Sequence, residues 1–308
     1  SPSALSSLRL SLASSYCSSS FWILLAPRPV SIIKFLPRLL SASDLIASVA
    51  ILSKYGFTCS FTATPTAFAI VGIVGDLINP GDFIVLVTPI DKAAPKGRLI
   101  LPQQQTIRDI LESDAIAIVT KEYELKETLE NIGKKPKLVI TDSQAFLKVA
   151  ADTTKDILMT SFSVLFARYK GDLEQLVRGA KEIEKLKDGD KVLVSEGCTH
   201  HRQADDIGRV KIPRWIRQIS GKKLDFEFSS GNSFPDDVDK YSLIVHCGGC
   251  MLNRRGMLYR INNAKSIGVP IVNYGVLIAY VQGILPRALE PFPLAKMIWE
   301  EEFSDTTK

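Results

Sequence analysis

Ser242-Leu-Ile-Val-His246 runs straight into Cys247-Gly-Gly-Cys250, a helical stretch follows over Asn253–Ser266, and Val269-Pro-Ile-Val-Asn273 comes next. Short β-branched runs bounded by glycine or a helix cap read as buried strands. Strand, helix and strand in succession imply parallel pairing, because a parallel return needs a long crossover. Upstream, strand Lys191–Ser195 enters Gly197-Cys198 after the turn Asp188-Gly-Asp190, and a helix is predicted near Ile212–Ile219. Downstream, a final helix is predicted near Tyr274–Ile284.

The preceding half has the same rhythm. Phe83-Ile-Val-Leu-Val-Thr88 follows the turn Asn79-Pro-Gly-Asp82, and further strands are predicted at Ala115–Thr120, Lys137–Thr141 and Ile157–Thr160. Helices are predicted at Pro102–Ser113, Glu122–Asn131 and Ser143–Ala151, the last behind Asp142 as N-cap, and a long one at Gly171–Leu186. The expected fold class is α/β, with two domains of mostly parallel sheet flanked by helices. The boundary falls near residues 155–170, giving domains 75–162 and 163–300 and a tail 301–308. No sequence repeat of fixed period is found, which argues against a solenoid.

A chain of 308 residues with 46% hydrophobic and 23% charged residues can build two real cores and is not disordered. Its net charge of +5 is uneven: residues 1–75 hold five of the 38 basic residues and one of the 33 acidic ones, leaving 33 against 32 beyond them. That balance requires no broad basic surface, so nucleic acid is not an expected partner. The longest apolar run, Phe21–Ile33, is broken by Pro27, Arg28 and Pro29, so no membrane span is expected.

Residues 1–74 stand apart. Sixteen serines fall within residues 1–60, and acids are nearly absent. A transit peptide, a truncated or out-of-frame leader and a domain remnant all have this bias. Five cysteines in so long a chain make no disulfide framework, which points to a reducing compartment, the cytoplasm, or a hydrogenosome or plastid if the leader is a transit peptide.

The chemistry concentrates in two clusters. Cys198-Thr-His200-His201 and His246-Cys247-Gly-Gly-Cys250 contain all three histidines and three of the five cysteines. Both follow predicted strands, at the end of an α/β sheet where ligands bind. The two-residue cysteine spacing suits one metal centre, and from spacing alone a zinc site and an iron-sulfur cluster are equally good readings. Three cysteines are one short of a complete 4Fe-4S ligand set, leaving an iron to be taken by His200, His246, Asp205 or Asp206. Gly248 and Gly249 permit a tight turn before a helix whose N-terminus favours anions. Arg202, Arg209, Lys211 and Arg214 are candidate flanking cations, and Lys92, Lys96 and Arg98 read as a solvated loop. Cys17 and Cys59 receive no role. There is no G-x-x-x-x-G-K-[ST] and no dinucleotide or hydrolase fingerprint.

At these residues the chain resembles the FeFe-hydrogenase maturation factor family HydF. Gly75-Asp-Leu-Ile78, Pro89-Ile-Asp-Lys-Ala-Ala-Pro-Lys-Gly-Arg-Leu-Ile100, Lys137-Leu-Val-Ile-Thr-Asp-Ser-Gln144, Cys198-Thr-His-His201, Asp206-Ile-Gly-Arg-Val-Lys-Ile-Pro-Arg-Trp215, His246–Arg254 and Asn273-Tyr-Gly-Val276 carry the likeness. The resemblance implies a homodimerising domain at 75–162 and a cluster-binding domain at 163–300. It implies a 4Fe-4S cluster on Cys198, Cys247 and Cys250, and a scaffold that delivers a transient di-iron precursor to apo FeFe-hydrogenase beside radical-SAM maturases. Intact relatives begin with a GTP-binding domain; with no P-loop here, neither GTP binding nor catalysis is expected in this chain. The alternatives are an enzyme using an open iron as Lewis acid and a zinc-stabilised interaction module.

Overall fold

The computed structural model describes residues 9–10, 21–22, 72–90, 99–197, 206–231 and 234–305. The chain divides into two units, Ser1–Ile70 and Val71–Lys308. In the first, β1 (Arg9–Leu10) pairs antiparallel with β2 (Phe21–Trp22), and the rest of the expected leader lies outside the described residues.

The second unit holds two four-stranded sheets, each entirely parallel, with helices packed against them. The expected α/β fold class is what is found. The first sheet has the order β4-β3-β5-β6, from β3 (Phe83–Val87), β4 (Ile116–Thr120), β5 (Leu138–Thr141) and β6 (Leu158–Ser161). The second has the order β10-β9-β7-β8, from β7 (Lys191–Glu196), β8 (Asp225–Ser230), β9 (Leu243–His246) and β10 (Ile271–Asn273). All four residues of β5 and of β9 are buried, as expected where helices cover both faces of a parallel sheet.

Counted within each half, both sheets have the same order, 2-1-3-4. The likeness extends to hydrogen bonds. In each half a Gly-Asp turn precedes the first strand: Asp82 accepts the Asn79 amide at 2.9 Å, and Asp190 accepts that of Lys187 at 2.8 Å. The preceding glycines, Gly81 and Gly189, have φ of 77° and 87°, a region that favours glycine. Each half therefore repeats one backbone design on mostly different side chains.

The helices are α1 (Leu101–Glu112), α2 (Leu125–Asn131), α3 (Phe146–Asp152), α4 (Phe162–Lys170), α5 (Leu173–Lys181), α6 (Ile212–Ser220), α7 (Arg254–Ile267), α8 (Tyr274–Val281), α9 (Leu285–Ala288) and α10 (Pro293–Asp305). Four features depart from the sequence reading. Strand β8 was not expected, because Asp225-Phe-Glu-Phe-Ser-Ser230 is a half-exposed edge strand without an apolar run. Helix α4 was not expected either; it starts on the residue after β6, with the Ser161 hydroxyl accepting the Val164 amide in place of a turn. The single helix expected at Gly171–Leu186 is α5, capped by Asp172 and followed by the 3-10 turn Glu182–Lys185. Helix α10 continues past residue 300, where a tail was expected.

Candidate metal centre

In the second sheet the chain leaves β7 toward β8 on one side and leaves β9 toward β10 on the other. The crevice between the carboxyl ends of β7 and β9 is therefore a topological switch point, the usual ligand position in such sheets. The register sets Ser195 beside His246, and the Cys247 amide donates to the Ser195 carbonyl at 2.9 Å. Cys247 thus leaves the sheet level with Glu196, two residues before Cys198 in the chain. Cys198, His200, His201, Arg202 and Asp205 lie outside the described residues, as do Lys92, Lys96 and Arg98.

The Cys247 sulfur accepts backbone N–H groups from Gly197 at 3.0 Å and Gly249 at 3.4 Å. A side chain at 197 would force Leu252 to move, since a Cβ there would lie 2.8 Å from its side chain. Gly249 has φ of 61°, and a Cβ there would collide with the Met257 methyl. Beside Gly248, by contrast, the space is open. Burial raises the Cys247 thiol pKa; the two amides oppose this, while Cys250 and Glu196 push it further up. Amides aimed at sulfur beside a second cysteine suit a thiolate held by a metal, which supplies the missing positive charge.

Two buried cations frame the loop, and the sequence reading named neither. Lys170, 7% exposed, donates to the carbonyls of Gly249, Cys250 and Leu252. Arg260, on α7, donates to His246 Nε2 at 2.8 Å and to the Gly231 carbonyl at 3.0 Å. Arg260 was detectable: with Met257, Ile261 and Ala264 it shares the buried stripe of α7, where a cation needs a special partner. Of the cations that were named, Arg209 lies over the Phe228 ring and Arg214 is exposed.

His246 is completely buried. Because Nε2 accepts from Arg260, Nδ1 carries the proton and donates to the Cys247 carbonyl at 2.7 Å. Burial first, then the Arg260 charge, pulls its pKa down to about 4. In this structure both ring nitrogens of His246, a candidate fourth ligand, are engaged by the protein. Asp206 accepts the Arg209 amide through Oδ1, capping the π-helical turn Ile207–Lys211. The buried Glu196 accepts the Tyr274 hydroxyl at 3.3 Å, and Gly208 packs so closely against both that any side chain there would collide.

Among the described residues no group of three His, Cys, Asp or Glu side chains forms a metal site, and the described part of the centre is the Cys247/Cys250 pair. The pair, its amide donors, the open side at Gly248 and the surrounding cations fit a thiolate-bound anionic group. Nor is any helix among the described residues long and apolar enough to cross a membrane.

Fold and site define an α/β protein with two all-parallel sheets and a cysteine loop at the switch point of the second. Residues 73–171 match the hydrogen maturase F dimerization domain, and residues 174–291 match the hydrogen maturase F tetramerization domain. The chain belongs to the hydrogen maturase F family, a family of hydrogenase maturation. These descriptions give each half a part in self-association, adding a tetramerisation region to the homodimer expected from sequence. Comparison with curated proteins finds no match. Among solved structures, a solute-binding protein of an ABC transporter from Burkholderia multivorans is 13% identical, with 73% of this chain and 94% of that chain covered and a TM-score of 0.23. A likeness of that size carries no argument.

Proposed function

We propose that this chain is a scaffold and carrier in FeFe-hydrogenase maturation. Cys198, Cys247 and Cys250 hold a 4Fe-4S cluster, and the chain delivers a di-iron precursor to apo-hydrogenase alongside radical-SAM maturases. Family membership supports the pathway. The observation that carries the site is the Cys247 sulfur at the switch point, accepting the amide of Gly197, the residue that precedes Cys198. Such a cluster would supply an iron site able to exchange a ligand, held by the thiolates of Cys198, Cys247 and Cys250. The chain's own residues orient the thiolates and surround them with positive charge. With His246 committed to Arg260 and Cys247, the fourth ligand comes from His200, Asp205 or Asp206.

Anaerobic reconstitution with iron and sulfide tests this reading on wild type and Cys247→Ala. A reduced-cluster EPR signal that is lost in the variant supports it, and apo-hydrogenase activation then tests delivery. Stoichiometric zinc without an iron-sulfur signal would sink the cluster and leave a structural site.

A further inference from the structure

Lys170 belongs to the first family region, yet its ammonium is spent on the second. It is the last residue of α4, and its Nζ donates to the carbonyls of Gly249 at 3.1 Å, Cys250 at 2.9 Å and Leu252 at 2.8 Å. An ammonium has three donors, so none is left for a carboxylate. At 7% exposure these carbonyls stand in for its water shell, and burying an ammonium is costly unless its donors are satisfied. A second bond crosses in the opposite direction: Arg254, which opens α7, donates to the Tyr169 carbonyl at 2.7 Å. The last turn of α4 and the loop between β9 and α7 are thus tied at both ends of the loop's final turn.

A tether alone does not need a buried charge. Neutral donors satisfy carbonyls without the desolvation cost of an ammonium, so the retained charge points to an anion nearby. The carbonyls it holds belong to the loop that carries Cys247 and Cys250, so its charge sits where a thiolate-bound group would be. We infer that Lys170 is a positioning residue for the cysteine centre: it fixes the Cys247–Leu252 loop against α4 and offsets the negative charge of the thiolate-bound group. The charge half of this inference rests on the carrier reading; the tether half does not.

The test uses the full chain and the variants Lys170→Met, Lys170→Gln and Lys170→Arg. In the metal-free protein, Lys170→Met, which removes all three bonds, speeds hydrogen exchange of the Gly249–Leu252 amides at least about ten-fold, the factor that a single lost hydrogen bond gives, while exchange in β7 and β9 stays unchanged. After reconstitution, a nearby cation favours the more negative, reduced form of an iron-sulfur group, so Lys170→Met and Lys170→Gln lower its reduction potential and Lys170→Arg restores it in part. Should Lys170→Met fail to melt cooperatively, the Gln and Arg variants carry both measurements. Unchanged loop exchange overturns the inference. Faster exchange with an unmoved potential overturns it too, because Lys170 is then a structural tether only. Failure of the wild type to take up iron and sulfide sinks the carrier reading separately, since the exchange measurement needs no metal.

Discussion

Ser163 and Gly275 meet where the two halves of the chain touch: a Cβ built on Gly275 would collide with the Cβ of Ser163. They are equivalent positions. Each is the second residue of a helix that starts directly on the last strand of its sheet, and each helix is capped by the final strand residue. Ser161 Oγ accepts the Val164 amide at 3.2 Å, and Asn273 Oδ1 accepts the Val276 amide at 2.8 Å. Contact between like positions is what a pseudo-two-fold arrangement of two similar halves produces. Within that arrangement Asp142, whose amide donates to the Val87 carbonyl, stands where Cys247 stands in the second half. One half keeps the switch point as a helix cap, and the other has turned it into a cysteine loop.

The close approach makes a sharp prediction. Gly275→Ala forces the two helices apart and destabilises the protein by about 3 kcal/mol, as overpacking of a tight contact does. Ser163→Gly in the same chain removes the clashing Cβ and recovers about half of that loss, less the hydrogen bond that Ser143 donates to the Ser163 hydroxyl. Urea unfolding of both single variants and the double variant measures the coupling. Additive effects would mean that the helices have adjusted elsewhere.

Self-association should run through the outer edge of the first sheet. At the β6 side, helix α9 packs close, the Thr160 hydroxyl donating to the Ala288 carbonyl. Strand β4 lies at the other edge, with Ile116 43% and Val119 47% exposed, and no strand pairs with its outer side among the described residues. Such an edge invites a second strand, and charge blocks it. Val119→Lys is therefore expected to shift the molecule toward monomer in analytical ultracentrifugation without lowering its melting temperature. An unchanged mass would place the dimer contact elsewhere.

Acid stability has a local source in the second sheet. Glu227 on β8 accepts the Tyr241 hydroxyl at 2.7 Å and pairs with Lys240 at 3.0 Å. The Tyr241 hydroxyl first, then Lys240, holds the Glu227 pKa down to about 2 from an ordinary 4.5. Between these values the unfolded chain binds more protons, so the contribution is present above about pH 4.5 and is lost as the pH falls toward 2. Glu227→Gln should be less stable than wild type near neutrality, with the gap closing on acidification. Urea midpoints at about pH 7, 4 and 3 read it directly, and a pH-independent gap would refute it.

Much of the fold was legible because central parallel strands are continuous apolar runs bounded by turn residues and helix starts. Leu243-Ile-Val-His246 and Leu138-Val-Ile-Thr141 needed no tertiary information. Strand β8 was hidden because its partner β7 covers one edge only, leaving Asp225 and Glu227 on a wet surface. The duplication was hidden because it lies in strand order and in a few isolated turn residues, such as the Gly-Asp pairs ending at Asp82 and Asp190, with few other shared side chains. At the site, the cysteines were visible through their spacing. Lys170 was not, because its partners are carbonyls 79 to 82 residues away, and a carbonyl has no signature in sequence.

His246 provides the sharpest separation between a ligand and a support. Its Nδ1–H holds the Cys247 carbonyl and its Nε2 takes a proton donor from Arg260, so its work is to fix the end of β9 where the cysteine loop begins. Asparagine can place an amide N–H near the Nδ1 position but cannot reach Arg260. His246→Asn is therefore expected to lose about 1–3 kcal/mol of stability, the cost of leaving a buried donor unpaired. The reconstituted variant should still match wild type in iron content per chain and in the EPR signal of the reduced cluster. Loss of an iron ligand would act the other way, altering the signal at little cost to the metal-free fold. A changed spectrum with unchanged metal-free stability would return His246 to the ligand set.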